Sequence, residues 1–273
     1  MKTQQIFITL ATALFVTVAA LNASGQTLPA GKQYEDMSRA ERLVFVGEQA
    51  RRIAREISGS EYEFTADFER DIQKAVTYYA QRLDKTANER SGKTDLRVVM
   101  QRGQAVAPTV NAVFRARNTS PLFGLYLAWI ESEYVNLDTP SPGGALGMFQ
   151  FLPSTGERYG LSVEDLLDVA KSADAAARYI TDSTKVFTGD PMKEVLAVLA
   201  YNRGEGKTSR ELKVLLNEQN RRCSICAMTA DRSKLDETFR QESVFYVPRF
   251  FAAAIIGENP QVFGINAQPL SSH

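Results

Sequence analysis

Apolar side chains recur at helical spacing along almost the whole chain. Leu43, Val46, Ala50, Ile53 and Ile57 fall three or four residues apart, so they share one helix face. Ser38-x-x-Glu41 just before them has the form of a capping box. After Thr65, Phe68, Ile72, Val76, Tyr79 and Leu83 make a second such face. Asp95 opens a third segment, and Thr109 to Ala116 reads as a fourth. Pro121 to Ile130 is apolar all round, the pattern of a helix buried on every side. After a Pro- and Gly-rich loop the pattern resumes from about Ser172 to Phe187. Asp190 then stands as a cap with Pro191 at the first helical position, opening a helix that runs to Gly204. Thr208-x-x-Glu211 is another capping box, and a last helix covers Phe250 to Ile256, with Gly257 and Pro260 as stop signals. No hairpin signal, repeat or low-complexity tract interrupts this. The expected class is all-α.

The N-terminus follows a different pattern. Lys2 precedes an uncharged stretch from Ile6 to Leu21, and the small residues Ala23-Ser24-Gly25 follow. A positive start, a short apolar run and small residues at a cleavage point describe a secretory signal peptide over residues 1–25. The run is shorter than the roughly 20 residues that span a bilayer. An uncleaved membrane anchor is the alternative. The expected location is outside the cytoplasm, periplasmic or secreted.

Composition narrows the chemistry. The 273 residues carry 32 basic and 32 acidic side chains, a formal net charge of zero, and 44% hydrophobic residues. That is too apolar for a disordered chain, and it lacks the basic excess of a nucleic-acid binder. The single histidine is His273, at the C-terminal end of the sequence, so a His-based triad or a His-rich zinc site is disfavoured. No metal and no cofactor is expected; carboxylates, hydroxyls and amides must carry any chemistry. Cys223-x-x-Cys226 holds both cysteines. Two thiolates do not complete a zinc site, and no strand–helix redox pattern surrounds them. In an oxidising compartment they read as a local disulfide.

Glu131 stands at the end of the most apolar helix, after Trp129 and Ile130. A helix C-terminus carries partial negative charge and apolar neighbours withhold solvent, so both raise a carboxyl pKa. An acid kept protonated near neutrality can donate to the leaving oxygen of a glycosidic bond. The plainer alternative is a solvated glutamate at a fraying helix end.

Four ordered blocks bear on that choice. The first is Glu131-Ser132, and the second is the continuous stretch Ser141-Pro142-Gly143-Gly144-Ala145-Leu146-Gly147-Met148-Phe149-Gln150-Phe151-Leu152-Pro153-Ser154-Thr155. The third is Ala200-Tyr201-Asn202-Arg203-Gly204-Glu205-Gly206, and the fourth is Glu242-Ser243-Val244-Phe245-Tyr246-Val247-Pro248-Arg249. Together they resemble the signature of lytic murein transglycosylases of the lysozyme-like (soluble lytic transglycosylase) type, closest to the branch of membrane-bound lytic murein transglycosylase D. Met148-Phe149 and Arg203 depart from the usual residues of the pattern, and the loop after Glu131 is about one residue longer than usual in that family.

The resemblance implies a lysozyme-like catalytic domain over residues 119–264, preceded by a helical segment over 26–118 and followed by a tail, 265–273. It implies Glu131 as sole acid and base, with Ser132 hydrogen-bonding near it or near the substrate. Gln150 would donate amide hydrogen bonds to a sugar, Tyr201 would orient Glu131, Asn202 would contact substrate or brace the site, and Tyr246 would line the groove. The implied partner is the peptidoglycan glycan strand, with no nucleic acid; cell-wall protein partners are unknown. The implied reaction cleaves the strand without water and leaves 1,6-anhydro ends. A hydrolytic muramidase on the same fold and a non-catalytic wall-binding or scaffold protein are the alternatives. Ordinary glycosidases use two carboxylates. Glu133 is two residues on, off the face that Glu131 occupies in a helix, and Asp138 in the loop is the weaker reserve.

Overall fold

The computed structural model describes residues 31–84, 88, 93–215 and 222–273. The signal-peptide expectation lies outside the described residues. Among these, the architecture is all-α with no strand; a single antiparallel bridge pairs Leu146 with Phe151. No described helix is long and apolar enough to cross a membrane.

In chain order the helices are α1 (Arg39–Ser58), α2 (Ala66–Ala80), α3 (Leu96–Ala116) and α4 (Pro121–Ser132). Then come α5 (Pro153–Arg158), α6 (Val169–Val186), α7 (Lys193–Arg203) and α8 (Glu205–Leu215). The last three are α9 (Ser224–Ala230), α10 (Glu237–Gln241) and α11 (Tyr246–Glu258).

Their starts follow local chemistry. The Ser38 hydroxyl accepts from the Glu41 N–H at 3.3 Å while the Glu41 carboxylate accepts from the Ser38 N–H at 2.7 Å, a complete capping box on α1. Thr65 caps α2 through the Phe68 N–H, and Asp95 caps α3 through the Arg97 N–H.

Tertiary contacts override the pattern elsewhere. The segments expected on either side of Thr109 are one helix, α3, which runs through Pro108. Proline removes one internal hydrogen bond. Ala107, Val110 and Phe114 are nonetheless fully buried, and packing against α4 and α6 keeps the helix continuous. Thr208 is not a cap: it lies inside α8 and its hydroxyl donates back to the Gly204 carbonyl. Its intended partner Glu211 is instead bound to Arg203. Asp190 accepts from the Met192 N–H, as a capping carboxylate would, but α7 begins two residues later, at Lys193, than Pro191 predicts. The last helix is longer than its apolar run, starting at Tyr246.

At the centre lies α4, buried from Leu122 to Ile130. It packs on α3 and α11; α11 also lies against α2, and α6 lies against α3 and α7. A single apolar core joins Tyr34 and Phe45 near the start to Phe263 and Leu270 near the end. The residues after α11 fold back onto it. Asn111 of α3 donates to the Leu270 and His273 carbonyls, and buried Glu258 accepts from the Tyr126 and Ser271 hydroxyls. A disulfide joins Cys223 and Cys226, and the Thr65 N–H at the start of α2 points at the Cys226 sulfur.

The α3–α4 crossing is close because Gly124 has no side chain. A Cβ there would collide with the Phe114 ring and the Val110 methyl. Gly124→Ala is therefore expected to lower the unfolding free energy by about 1–3 kcal/mol through overpacking. A shift in the urea midpoint at unchanged slope measures it.

Candidate active site

The fully apolar helix α4 has a sharply defined end. Glu133 and Tyr134 both adopt the left-handed conformation, with φ of 52° and 62°. Their N–H groups return to the Trp129 and Ala128 carbonyls, closing the last turn. Such backbone is costly for residues with a Cβ and persists only where surrounding contacts fix it. Here the Glu133 carboxylate pairs with Arg82 of the 3-10 turn after α2, at 2.5 and 2.8 Å, while the same guanidinium donates twice to the Thr94 carbonyl.

Glu131 sits just before this stop and is half-buried. Loss of solvent around its carboxyl raises its pKa to about 7. Two weaker influences pull the other way: the Tyr246 hydroxyl donates to Glu131 Oε1, and the positive charge of Arg249 lies nearby. Arg249 also donates to the Ile130 carbonyl at 3.2 Å, placing a cation at the negative end of α4. Tyr246 and Arg249 are one turn apart at the start of α11, so a single helix delivers both. Near neutral pH the carboxyl is thus divided between acid and base forms.

The loop after α4 folds back toward its end. Ser132 Oγ donates to the Met148 carbonyl at 2.7 Å. Asn136 accepts from the Met148 N–H and donates to the Leu167 carbonyl, and Gly147 N–H bonds the Leu137 carbonyl. Gly147 has φ of +72°, and a Cβ there would strike the Leu166 carbonyl, so only glycine fits the loop at this point. Gln150 has φ of 49°, and its side-chain amide donates to the Gly147 carbonyl at 2.8 Å. The Leu146–Phe151 bridge closes the turn.

The sequence-derived candidates therefore divide. Tyr246 meets Glu131 directly, a role that sequence reasoning gave to Tyr201. The Tyr201 hydroxyl instead donates to the Phe149 carbonyl at 2.9 Å and braces the loop. Tyr201 remains close enough for the Glu131 charge to add to the burial that raises its own pKa. Ser132 and Gln150 bond backbone carbonyls of the same loop. Asn202 is exposed and accepts from the Ser243 hydroxyl at 2.8 Å, tying α7 to the turn before α11. Sequence reasoning missed Arg249 and Asn136. Arg249 lies one turn from Tyr246 in the fourth block, which was its available signal; nothing marked Asn136.

Of the other carboxylates near Glu131 in sequence or space, Glu242 stands on the wall of the cavity that Tyr246 also lines. Glu133 is held by Arg82, and Asp138 is exposed on the loop with the Thr139 hydroxyl as partner. Among the described residues no group of three His, Cys, Asp or Glu side chains is arranged to hold a metal. A cavity of about 530 Å³ opens beside the site, lined in part by Asn202, Tyr246 and Arg249.

Part of the chain is similar in sequence to known proteins. Residues 109–221 match the transglycosylase SLT domain. Membrane-bound lytic murein transglycosylase D of Escherichia coli (strain K12) is 29% identical over 157 residues, which cover 55% of this chain and 31% of that protein. Peptidoglycan transglycosylase gp16 of Escherichia phage T7 is 38% identical over 86 residues, 30% of this chain and 6% of that protein. The chain thus spans about a third of the first relative and a small part of the second.

The raised Glu131 pKa has a consequence for stability. The folded protein favours the neutral carboxyl, so this contribution is intact below about pH 4 and is lost as pH rises through about 7. Glu131→Gln cannot ionise. It is expected to gain on the parent protein by roughly 1–3 kcal/mol between pH 5 and 8. Paired thermal melts across that range read the difference; parallel curves would contradict the assigned environment.

Proposed function

We propose that this SLT-domain chain is an exported lytic transglycosylase that cleaves peptidoglycan glycan strands between N-acetylmuramic acid and N-acetylglucosamine, leaving 1,6-anhydro ends. One observation carries the reading: the Glu131 carboxyl is kept near half-protonation by burial and gripped by the Tyr246 hydroxyl, while Glu133, two residues on, is paired with Arg82.

The chemistry needs one group that is first an acid and then a base. Protonated Glu131 gives its proton to the glycosidic oxygen, which departs as the hydroxyl of the next sugar. Positive charge grows on the anomeric carbon and is stabilised by the acetamido oxygen of the same muramic acid residue. The Glu131 carboxylate then takes the proton from that sugar's C6 hydroxyl, and the C6 oxygen bonds the anomeric carbon. Water is not consumed, and Glu131 is returned protonated. A pKa of about 7 suits both halves, since neither proton transfer is then steeply uphill. Tyr246 positions the carboxyl, and Ser132, Gln150 and Tyr201 hold the loop that faces it. Asn202 lines the cavity wall and would contact the substrate there.

Digestion of purified peptidoglycan followed by mass spectrometry tests this. Products lighter by one water than reducing ends are expected; reducing ends alone would mean hydrolysis, and binding without cleavage a scaffold. Glu131→Gln should lose roughly 10²–10⁴-fold in turnover while retaining glycan affinity.

Tyr246 and Tyr201 separate in a pH profile. The Tyr246 hydrogen bond lowers the Glu131 pKa, so Tyr246→Phe should move the ionisation of Glu131, and with it the alkaline limb of activity, to higher pH. Tyr201→Phe removes a loop bond and should reduce turnover with a much smaller displacement of that limb. Identical profiles for the two variants would overturn the division of roles.

A further inference from the structure

Two aromatic rings are left in solvent. Tyr78 is 47% and Phe245 is 54% exposed, and no other Phe, Tyr or Trp among the described residues is exposed. Aromatic side chains carry a large apolar area, and the rest of this chain's described aromatics are at least partly buried. The two exceptions come from distant parts of the sequence. Tyr78 lies near the end of α2, outside residues 109–221, and Phe245 in the turn that leads into α11. Both nevertheless line the same cavity of about 530 Å³, within the range that small-molecule sites occupy.

The cavity meets the site already described, since Tyr246, the residue that grips Glu131, forms part of its wall. The packing of α2 against α11 fixes the two walls relative to each other. The cavity lining also carries polar groups of the kind that bond hydroxyls and acetamides: the carboxamides of Asn202 and Gln241 and the carboxylate of Glu242. Charge is spread rather than concentrated. Arg82 and Glu133 neutralise each other on the cavity wall, and Glu242 offsets Arg249 and Lys93 in part. Flat apolar faces with hydrogen-bonding edges and little net charge match a pyranose ring better than the carboxylates of a stem peptide.

We propose that Tyr78 and Phe245 form a sugar-binding subsite next to Glu131, which takes an N-acetylated hexosamine ring of the glycan strand against their faces. The helices before the SLT match thereby become part of the substrate groove. The inference rests on the glycan-strand reading of the site, and its test is separable from that reading because it measures binding rather than cleavage.

The full chain carrying Glu131→Gln would be titrated calorimetrically with β-1,4-linked N-acetylglucosamine oligomers of increasing length. Adding Tyr78→Ala or Phe245→Ala should weaken binding of the longer oligomers roughly three- to tenfold each, and of the shortest ones less. Tyr78→Phe keeps the ring and should restore affinity. Both side chains are exposed, so thermal melts should show the variants folded. Folded alanine variants that bind every oligomer like their parent would overturn the subsite. So would a loss confined to strands that bear stem peptides, tested against peptide-stripped strands, since the ligand would then be the peptide. If the unsubstituted protein releases no anhydro ends while the ring-dependent affinity persists, the lytic reading fails and the subsite stands. Anhydro release with no ring dependence of binding fails the subsite alone.

Discussion

The whole arrangement depends on a carboxyl group kept partly out of water. A carboxyl at the end of an exposed helix would ionise fully at neutral pH and could not supply a proton. Glu131 escapes this because α4 is apolar on every side and the loop from Asn136 to Phe151 packs over its end. Burial alone would push the group further toward the neutral acid. The Tyr246 hydroxyl and the Arg249 charge pull it back, so its ionisation is a balance between the core that removes water and the helix that brings polar groups. Core packing and site chemistry are therefore not separable here.

Much of this was legible in the sequence where the determinant was local. The Ser38–Glu41 box, the Thr65 and Asp95 caps and the apolar α4 involve residues within a few positions of each other, and the structure contains all of them. Reading failed where a distant partner decided the outcome. Glu211 has the spacing of a capping residue but meets Arg203, and the new segment expected at Thr109 is the continuation of one helix through Pro108, held by its neighbours. The Glu131 carboxyl was found from its setting at a helix end. Its partner was not, because Tyr246 lies 115 residues away and no periodicity links the two. Two tyrosines in two motif blocks are equivalent in sequence; only packing decides which hydroxyl reaches the carboxyl and which reaches the Phe149 carbonyl.

The polar bonds around the site show a division of labour. Ser132, Asn136 and Gln150 bond backbone carbonyls in and around the loop, so their side chains act chiefly as braces. Half-buried loops need this, because every backbone group withheld from water must find a partner. A brace of this sort fixes the position of the loop relative to α4 without touching the reacting atoms. In a chain with one histidine, carboxamides and hydroxyls thus fix the loop beside a carboxyl whose pKa burial has raised.

The left-handed stop after Glu131 bears on how this chain can change over generations. Asparagine or glycine at position 133 would relax the backbone there. Either would also leave the Arg82 guanidinium, which is only 5% exposed, facing no carboxylate. Replacing Arg82 first strands Glu133 in a costly conformation with its partner gone. Each single step takes away one half of a partly buried charge pair, whereas an exchange of both residues together leaves neither charge without its partner. Because Arg82 lies before the matched domain and Glu133 within it, this pair ties the leading helices to the matched domain by a charge contact at the end of α4.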